Sequence, residues 1–346
     1  MAQVIRPLPY LSEVECEMNK RPRSISYARY GYYFVIPFVV AYLIFSLYPT
    51  IYTALLGFTD SKGLGNISWN FISEPFKNFE TILNNKSFKL SIINTFQIWI
   101  MNFIPQILLA LLLTAWFTSP AIRLRGKGAF KVIFYMPNII TAASIAILFN
   151  ALFGYPIGPV NYILQNLGLI DAAISFTNLK DASRLIVAFI QFWMWYGYTM
   201  IILISGVLGI NPELFEAASI DGASSTQTFL RITLPNLKTI LLYVLVTSMI
   251  GGLNMFDIPK VMLNGGPDNA TLTASVFIYN QAFSGSYLYA RASAASMLVF
   301  LIIAALSSVM FFLMRDRHDA KQRRASNKAV RHFRQQQKKT GGAVAS

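Results

Sequence analysis

Hydrophobic residues in this chain gather in six long runs, at residues 31–56, 90–117, 132–152, 185–210, 239–256 and 292–314. Each run reaches at least about 18 residues, the length at which an apolar stretch reads as a helix crossing a bilayer. The pattern predicts an all-α, polytopic membrane protein with six transmembrane helices, some of them spanning only with tilt. Polar segments set the boundaries. Residues 1–30 are polar and mixed in charge, 31–314 hold the six runs, and 315–346 form a basic tail. The first run is too long for a signal peptide and lacks a small-residue cleavage site, so it is expected to be retained as a helix.

Charge orients the helices. Arg6, Lys20, Arg21, Arg23 and Arg29 precede the first run, and Arg123, Arg125, Lys127 and Lys131 follow the second. Arg231 and Lys238 follow the fourth, and the block from Arg315 to Lys339 follows the sixth. All of these fall on one side of the membrane, and even without the tail they outnumber the basic residues of the opposite loops. Both termini are therefore expected in the cytoplasm.

Composition agrees with a bilayer setting: 55% of residues are hydrophobic and 13% charged, against roughly 25% charged in soluble domains. The net charge of +14 sits in the loops and the tail, where it reports topology before ligand binding. The tail carries no glycine-aromatic or zinc signature, so nucleic acid is not an expected partner; anionic lipid headgroups are. Cys16 is the only cysteine, and His318 and His332 are the only histidines. That leaves no intrachain disulfide, no cysteine or histidine metal site and no Ser-His-Asp triad within the membrane.

None of the six apolar cores contains Asp, Glu, Lys, Arg or His, although Lys131, Arg184, Lys238, Asp257, Arg291 and Arg315 stand at their edges. Ion-coupled carriers and voltage sensors need charges or broken helices at that depth, so the pattern points away from both. The chain has no G-x-x-x-x-G-K-[ST] phosphate loop. A pump of this kind takes its work from a separate ATPase, and the chain is not expected to be an enzyme.

The loop at 211–235, between the fourth and fifth runs, carries the most specific pattern. Asn211 suits an N-cap and Pro212 the first helical position, while Glu213 and Glu216 complement the positive end of a helix. Gly222 permits a helix stop or a close backbone approach. Ala217, Ala218 and Ala223 leave a small-residue face that fits a groove of another protein. Capping alone would also suit any helix lying on a membrane surface. Glu216-Ala217-Ala218, then Gly222, then Ile232-x-Leu234-Pro235, however, resembles the EAA loop of the permease subunits of binding-protein-dependent ABC importers.

Further stretches are similar to the sugar-importing branch of that family, the maltose-type and lactose-type permeases. They are Phe256-Asp257 followed by Asn264-Gly265-Gly266-Pro267 and Thr271, Asn94-Thr95, Tyr135-x-Pro137, and Tyr289-Ala290-x-Ala292-Ser293-Ala294. The resemblance covers residues 30–315, with a usual glycine replaced by Ser286 or Tyr287. It implies a type I ABC importer permease fold in a bacterial plasma membrane. The implied partners are a second permease chain, giving a heterodimer, two ATP-binding subunits and an external or periplasmic solute-binding protein. ATP and Mg would be bound by the ATPase subunits, with no cofactor in this chain. Glu216, Ala217, Ala218, Asp221, Gly222, Ile232, Leu234 and Pro235 would couple the chain to the ATPase.

The substrate path is expected on the fourth and fifth runs, which contribute most of the membrane sugar site in the maltose-type relatives. Gln191, Trp195 and Tyr198 recur at spacings of four and three and share one helical face. Gln191 offers donors and an acceptor, and aromatic rings stack on the apolar face of a sugar; Met194 is grouped with them. In the fifth run Ser248, Gly252 and Met255 share a face, with Gly251 and Asn254 adjacent. The competing reading sends the aromatic residues to lipid or a partner subunit and gives the glycines to helix packing. Asn94, Gln97, Asn102 and Gln106 of the second run read as interhelical glue rather than ligand contacts. The loop at 57–88, with Gly63, Gly65, Trp69, Phe71, Phe76 and Phe79, covers helix ends or receives a binding protein. Gly265-Gly266-Pro267 is turn chemistry whose position also suits contact with the delivered ligand.

The favoured cargo is a di- or oligosaccharide, with a noncarbohydrate solute such as glycerol phosphate or a polyol as the alternative within the family. A facilitator or channel that needs no ATPase is the alternative of a different class.

Overall fold

The computed structural model describes residues 28–63, 70–119, 125–285 and 287–314. The basic residues of 1–27, Gly65, Trp69, Arg123, Ser286 and the tail 315–346 lie outside the described residues.

The chain divides into two compact units, up to Thr53 and from Ala54 onward. In the first, α1 (Ala28–Tyr42) passes through a π-helical turn (Leu43–Leu47) into α2 (Tyr48–Leu56), whose last turn opens the second unit. The π-turn comes just before Pro49, and the Tyr48 N–H bonds Leu43 O. Proline has no N–H and its ring collides with the carbonyl four residues back, so widening the preceding turn relieves the clash.

The second unit is built from helices. They are α3 (Lys77–Asn84), α4 (Lys86–Thr118), α5 (Lys127–Tyr135), α6 (Ala142–Leu152), α7 (Pro159–Asn166), α8 (Lys180–Leu208), α9 (Pro212–Ile220), α10 (Lys238–Leu253), α11 (Asp257–Leu263), α12 (Ala274–Phe283) and α13 (Tyr289–Met314). Among the described residues the only β pairing is an isolated bridge between Thr59 and Phe71. Asn85 starts α4 by accepting from the N–H groups of Ser87 and Phe88 at 2.8 and 3.2 Å, the usual service of an N-cap. With 33 residues, α4 is about 50 Å long, more than the roughly 30 Å hydrocarbon core.

Three buried clusters are strung along α4. Near its start, Phe88 packs with Ile82, Phe277, Ala294 and Val299 of α3, α12 and α13. At its middle, Ile98 and Trp99 meet Ala146 of α6, Ile190 of α8, Met249 of α10 and Ile258 of α11. Toward its end, Ala110, Leu113 and Phe117 pack with Tyr196, Met200 and Leu203 of α8 and with Val244 of α10. The second and fourth runs are thus the structural axis of this unit.

The third run, expected as one span over 132–152, is broken. Residues Lys127–Ile139 and Ala142–Leu152 are bent by 88° across a short gap. Pro137 sits in a 3-10 turn (Met136–Ile139), and Thr141 starts the next helix by accepting from the Ser144 N–H, so an interior proline and a fresh N-cap together turn the chain. Among the described residues five helices are long and apolar enough to cross a membrane, and counting the bent pair as one makes six. Gly197 of α8 lets the bent span come close, because a Cβ there would overlap the Phe134 carbonyl.

Candidate functional site

Between α4, α8 and α10 lies a cavity of about 250 Å³, smaller than the roughly 300–1,000 Å³ of most small-molecule sites. Of the residues expected on the substrate path, Gln191, Trp195, Tyr198, Ser248, Gly251 and Gly252 line it. Trp195 and Tyr198 meet edge to face with centroids 5.6 Å apart, which holds both rings in fixed orientation at the wall. Gly252 seats the opposite helix: a Cβ there would overlap the indole of Trp99, which stacks on Phe103 at 5.5 Å.

Three expected path residues lie elsewhere. Met194 is buried among Ile98, Phe149 and Met249. Met255 is buried in the same cluster, with its carbonyl accepting from Thr273 Oγ1 at 2.9 Å. Asn254 is exposed and donates to Ile250 O at 2.8 Å. For Met255 the reason is local: α10 ends at Leu253, so the helical spacing that put 255 on the face of 248 and 252 does not extend that far.

The structure adds wall residues that spacing alone assigned to glue or left unnamed: Asn102, Gln106, Thr199, Val244 and Thr247. Gln106 Nε2 donates to Thr199 Oγ1 at 2.8 Å, tying α4 to α8, and Asn102 Nδ2 donates to Ile98 O at 3.1 Å. Gln106 therefore bonds across the helices and faces the cavity as well. The four-residue interval from Asn102 to Gln106 was the available signal. No three His, Cys, Asp or Glu side chains converge among the described residues, so no residue set there suits a metal ion.

At the other end of α8, the chain builds the loop 211–235. Asn211 Oδ1 accepts from the Glu213 N–H at 3.1 Å, and Pro212 opens α9. Gly222 ends it with φ +73°, a left-handed conformation that L side chains rarely adopt. Ala218 is buried and Phe215 packs against the cluster toward the end of α4, whereas Glu216, Ala217, Asp221 and Gly222 are exposed. Ile220 is 87% exposed, and Leu214 is exposed beside it. Ser224 and Gln227 then form a capping box, and a second π-turn (Phe229–Thr233) precedes Pro235 as the first precedes Pro49. Ile232 and Leu234 are half-buried there and Pro235 is exposed.

A polar hub fixes the loop that follows the fifth run. Arg184, at the start of α8, donates from Nε to Ala270 O at 2.9 Å and from Nη2 to Asn94 Oδ1 at 3.0 Å. Asn94 Nδ2 donates onward to Asn269 O and Leu272 O, and Thr95 Oγ1 accepts from the Ala274 N–H. Thr271 Oγ1 donates to Gly266 O across the turn, and Lys180 pairs with Asp268 at 3.2 Å. Asn94-Thr95 and Gly265-Gly266-Pro267 are thus two halves of one contact. Arg184, read only as an edge residue, is its third member.

The chain is similar to known proteins in sequence and in fold. The lactose transport system permease protein LacF of Rhizobium radiobacter is 30% identical over 289 residues, 83% of this chain and 94% of that protein. The arabinooligosaccharides transport system permease protein AraP of Bacillus subtilis is 31% identical over 80% of this chain and 87% of its own length. The fold matches that of a bacterial ABC transporter involved in the import of the acidic polysaccharide alginate, with a TM-score of 0.70 and 23% identity, over 85% of this chain and 97% of the other. Residues 81–324 match the family described as binding-protein-dependent transport system inner membrane component. With its long apolar helices, this multi-pass membrane protein is a member of that family of transport permeases.

Proposed function

We propose that the chain forms part of the path by which an ATP-driven importer moves a di- or oligosaccharide across a bacterial plasma membrane, with both termini in the cytoplasm. A solute-binding protein delivers the sugar, a second permease chain completes the pore, and two ATPase subunits hold ATP and Mg. The relatives named for lactose and arabinooligosaccharides support a saccharide cargo.

One observation carries the reading: α9 is capped at both ends yet buries little more than Ala218 and part of Phe215 against its own chain. A facilitator that works without an ATPase has no use for such a helix. A force-transmitting contact needs one that is rigid, exposed on its docking face and anchored to a span. Closure of two ATPases would drive α9 and, through Pro235, the spans on either side, so that the cavity opens alternately outward and inward.

The test uses the full transporter in proteoliposomes with its ATPases and binding protein. Gly222→Asp and Glu216→Lys should insert normally in the membrane and lose substrate-stimulated ATP hydrolysis by more than about tenfold, a coupling loss of roughly 1.4 kcal/mol. Normal stimulated hydrolysis by either variant would sink the proposal.

A further inference from the structure

We infer that the cavity selects uncharged saccharides, and that the carboxamides of Asn102, Gln106 and Gln191 make the selection. This rests on the saccharide reading above and narrows it. None of the lining residues is an Asp, Glu, Lys, Arg or His. Asn102 and Gln106 are each only 4% exposed, and each spends one N–H inside the protein, on Ile98 O and Thr199 Oγ1. A carboxamide has a second N–H and an oxygen with two lone pairs. Among the described residues, no hydrogen bond reaches either oxygen, and Gln191 makes none at all.

The wall therefore offers paired donors and acceptors, hydroxyls from Thr199, Thr247 and Ser248, and the Trp195 ring. A sugar hydroxyl both donates and accepts, and so fits such amides without any charge. An anion does not. A carboxylate or phosphate entering the cavity gives up water and meets no cation on this wall, and a charge that loses water without a partner is strongly disfavoured. Arg184 does not line the cavity; its guanidinium bonds Ala270 O and Asn94 Oδ1 and pairs with Asp181 at 3.5 Å. Cross-helix packing accounts for the Gln106–Thr199 bond but not for the free amide of Gln191 at the same wall. The chemistry thus disfavours glycerol phosphate and acidic sugars, and leaves neutral saccharides and polyols.

Equilibrium binding to the purified transporter, without its binding protein, isolates the contribution of the pore. The neutral probes are lactose, maltose, raffinose and arabinotriose; the anionic probes are alginate trisaccharide and glycerol 3-phosphate. The best neutral probe should bind at least about tenfold more tightly than either anion, a difference that Gln191→Arg and Ser248→Lys should each erase or reverse by supplying the missing cation. Asn102→Leu should weaken the neutral probe with the subunits still assembled. Anions that bind as well as neutral sugars, or a ratio unmoved in both cationic variants, would overturn the inference and leave the saccharide reading standing. Failure of every neutral probe to bind would overturn the saccharide reading and this inference with it.

Discussion

Gly251 and Gly252 are neighbours in one helix, yet they are held by different constraints. A Cβ on Gly252 would overlap the Trp99 indole, while nothing lies within 4 Å of the corresponding point on Gly251. Gly252→Ala must therefore push Trp99 and α4 aside, an overpacking change of roughly 1–3 kcal/mol. Gly251→Ala relieves the entropic penalty of a helical glycine, up to about 1 kcal/mol. Thermal unfolding of the detergent-solubilised protein should show a lower midpoint for the first variant and an unchanged or higher one for the second; equal shifts would contradict the packing. The sequence shows only two small residues side by side, and which one is pressed depends on a side chain about 150 positions away. Tyr287 makes a similar point. Its φ of +46° is the left-handed backbone form that favours glycine, although the side chain is large.

Among the elements, α9 is legible in the sequence alone, because its caps and its stop are local chemistry: Asn211, Pro212 and Gly222 act on their own neighbours. The loop 264–273 is legible there only as a turn, since what fixes it arrives from two other helices. Arg184 and Asn94 hold the carbonyls of Asn269, Ala270 and Leu272, and removing one partner leaves buried polar groups unmet at about 1–3 kcal/mol. Asn94→Ala and Arg184→Gln should each speed hydrogen exchange at amides 265–273 and leave 211–235 unchanged. Exchange that stays slow in both variants would show the hub to be dispensable. The bent third span belongs to the same scale: Pro137 and the Thr141 cap turn the chain there, and Gly197 admits the backbone of Phe134 to α8.

At the scale of the whole molecule, the arrangement of basic loops predicts a definite sidedness. With Cys16, the only cysteine, changed to Ser, single cysteines at Lys62, Gly126 and Ser219 give a direct reading. An impermeant maleimide should label position 62 in intact cells and positions 126 and 219 only after permeabilisation; labelling of all three from one side would refute the topology. The apolar runs and the caps of the loop at 211–235 were legible in the sequence itself, because apolar length and helix caps act over a few residues and need no partner. The cavity was decided by tertiary structure. Gln191, Trp195 and Ser248 announced themselves by helical spacing, but Asn102 and Gln106 became wall residues only when α4 packed between α8 and α10, and Met255 left the wall because α10 stops at Leu253. A cavity is the space that packed helices fail to fill, so its lining depends on crossing and termination rather than on the periodicity of any one segment.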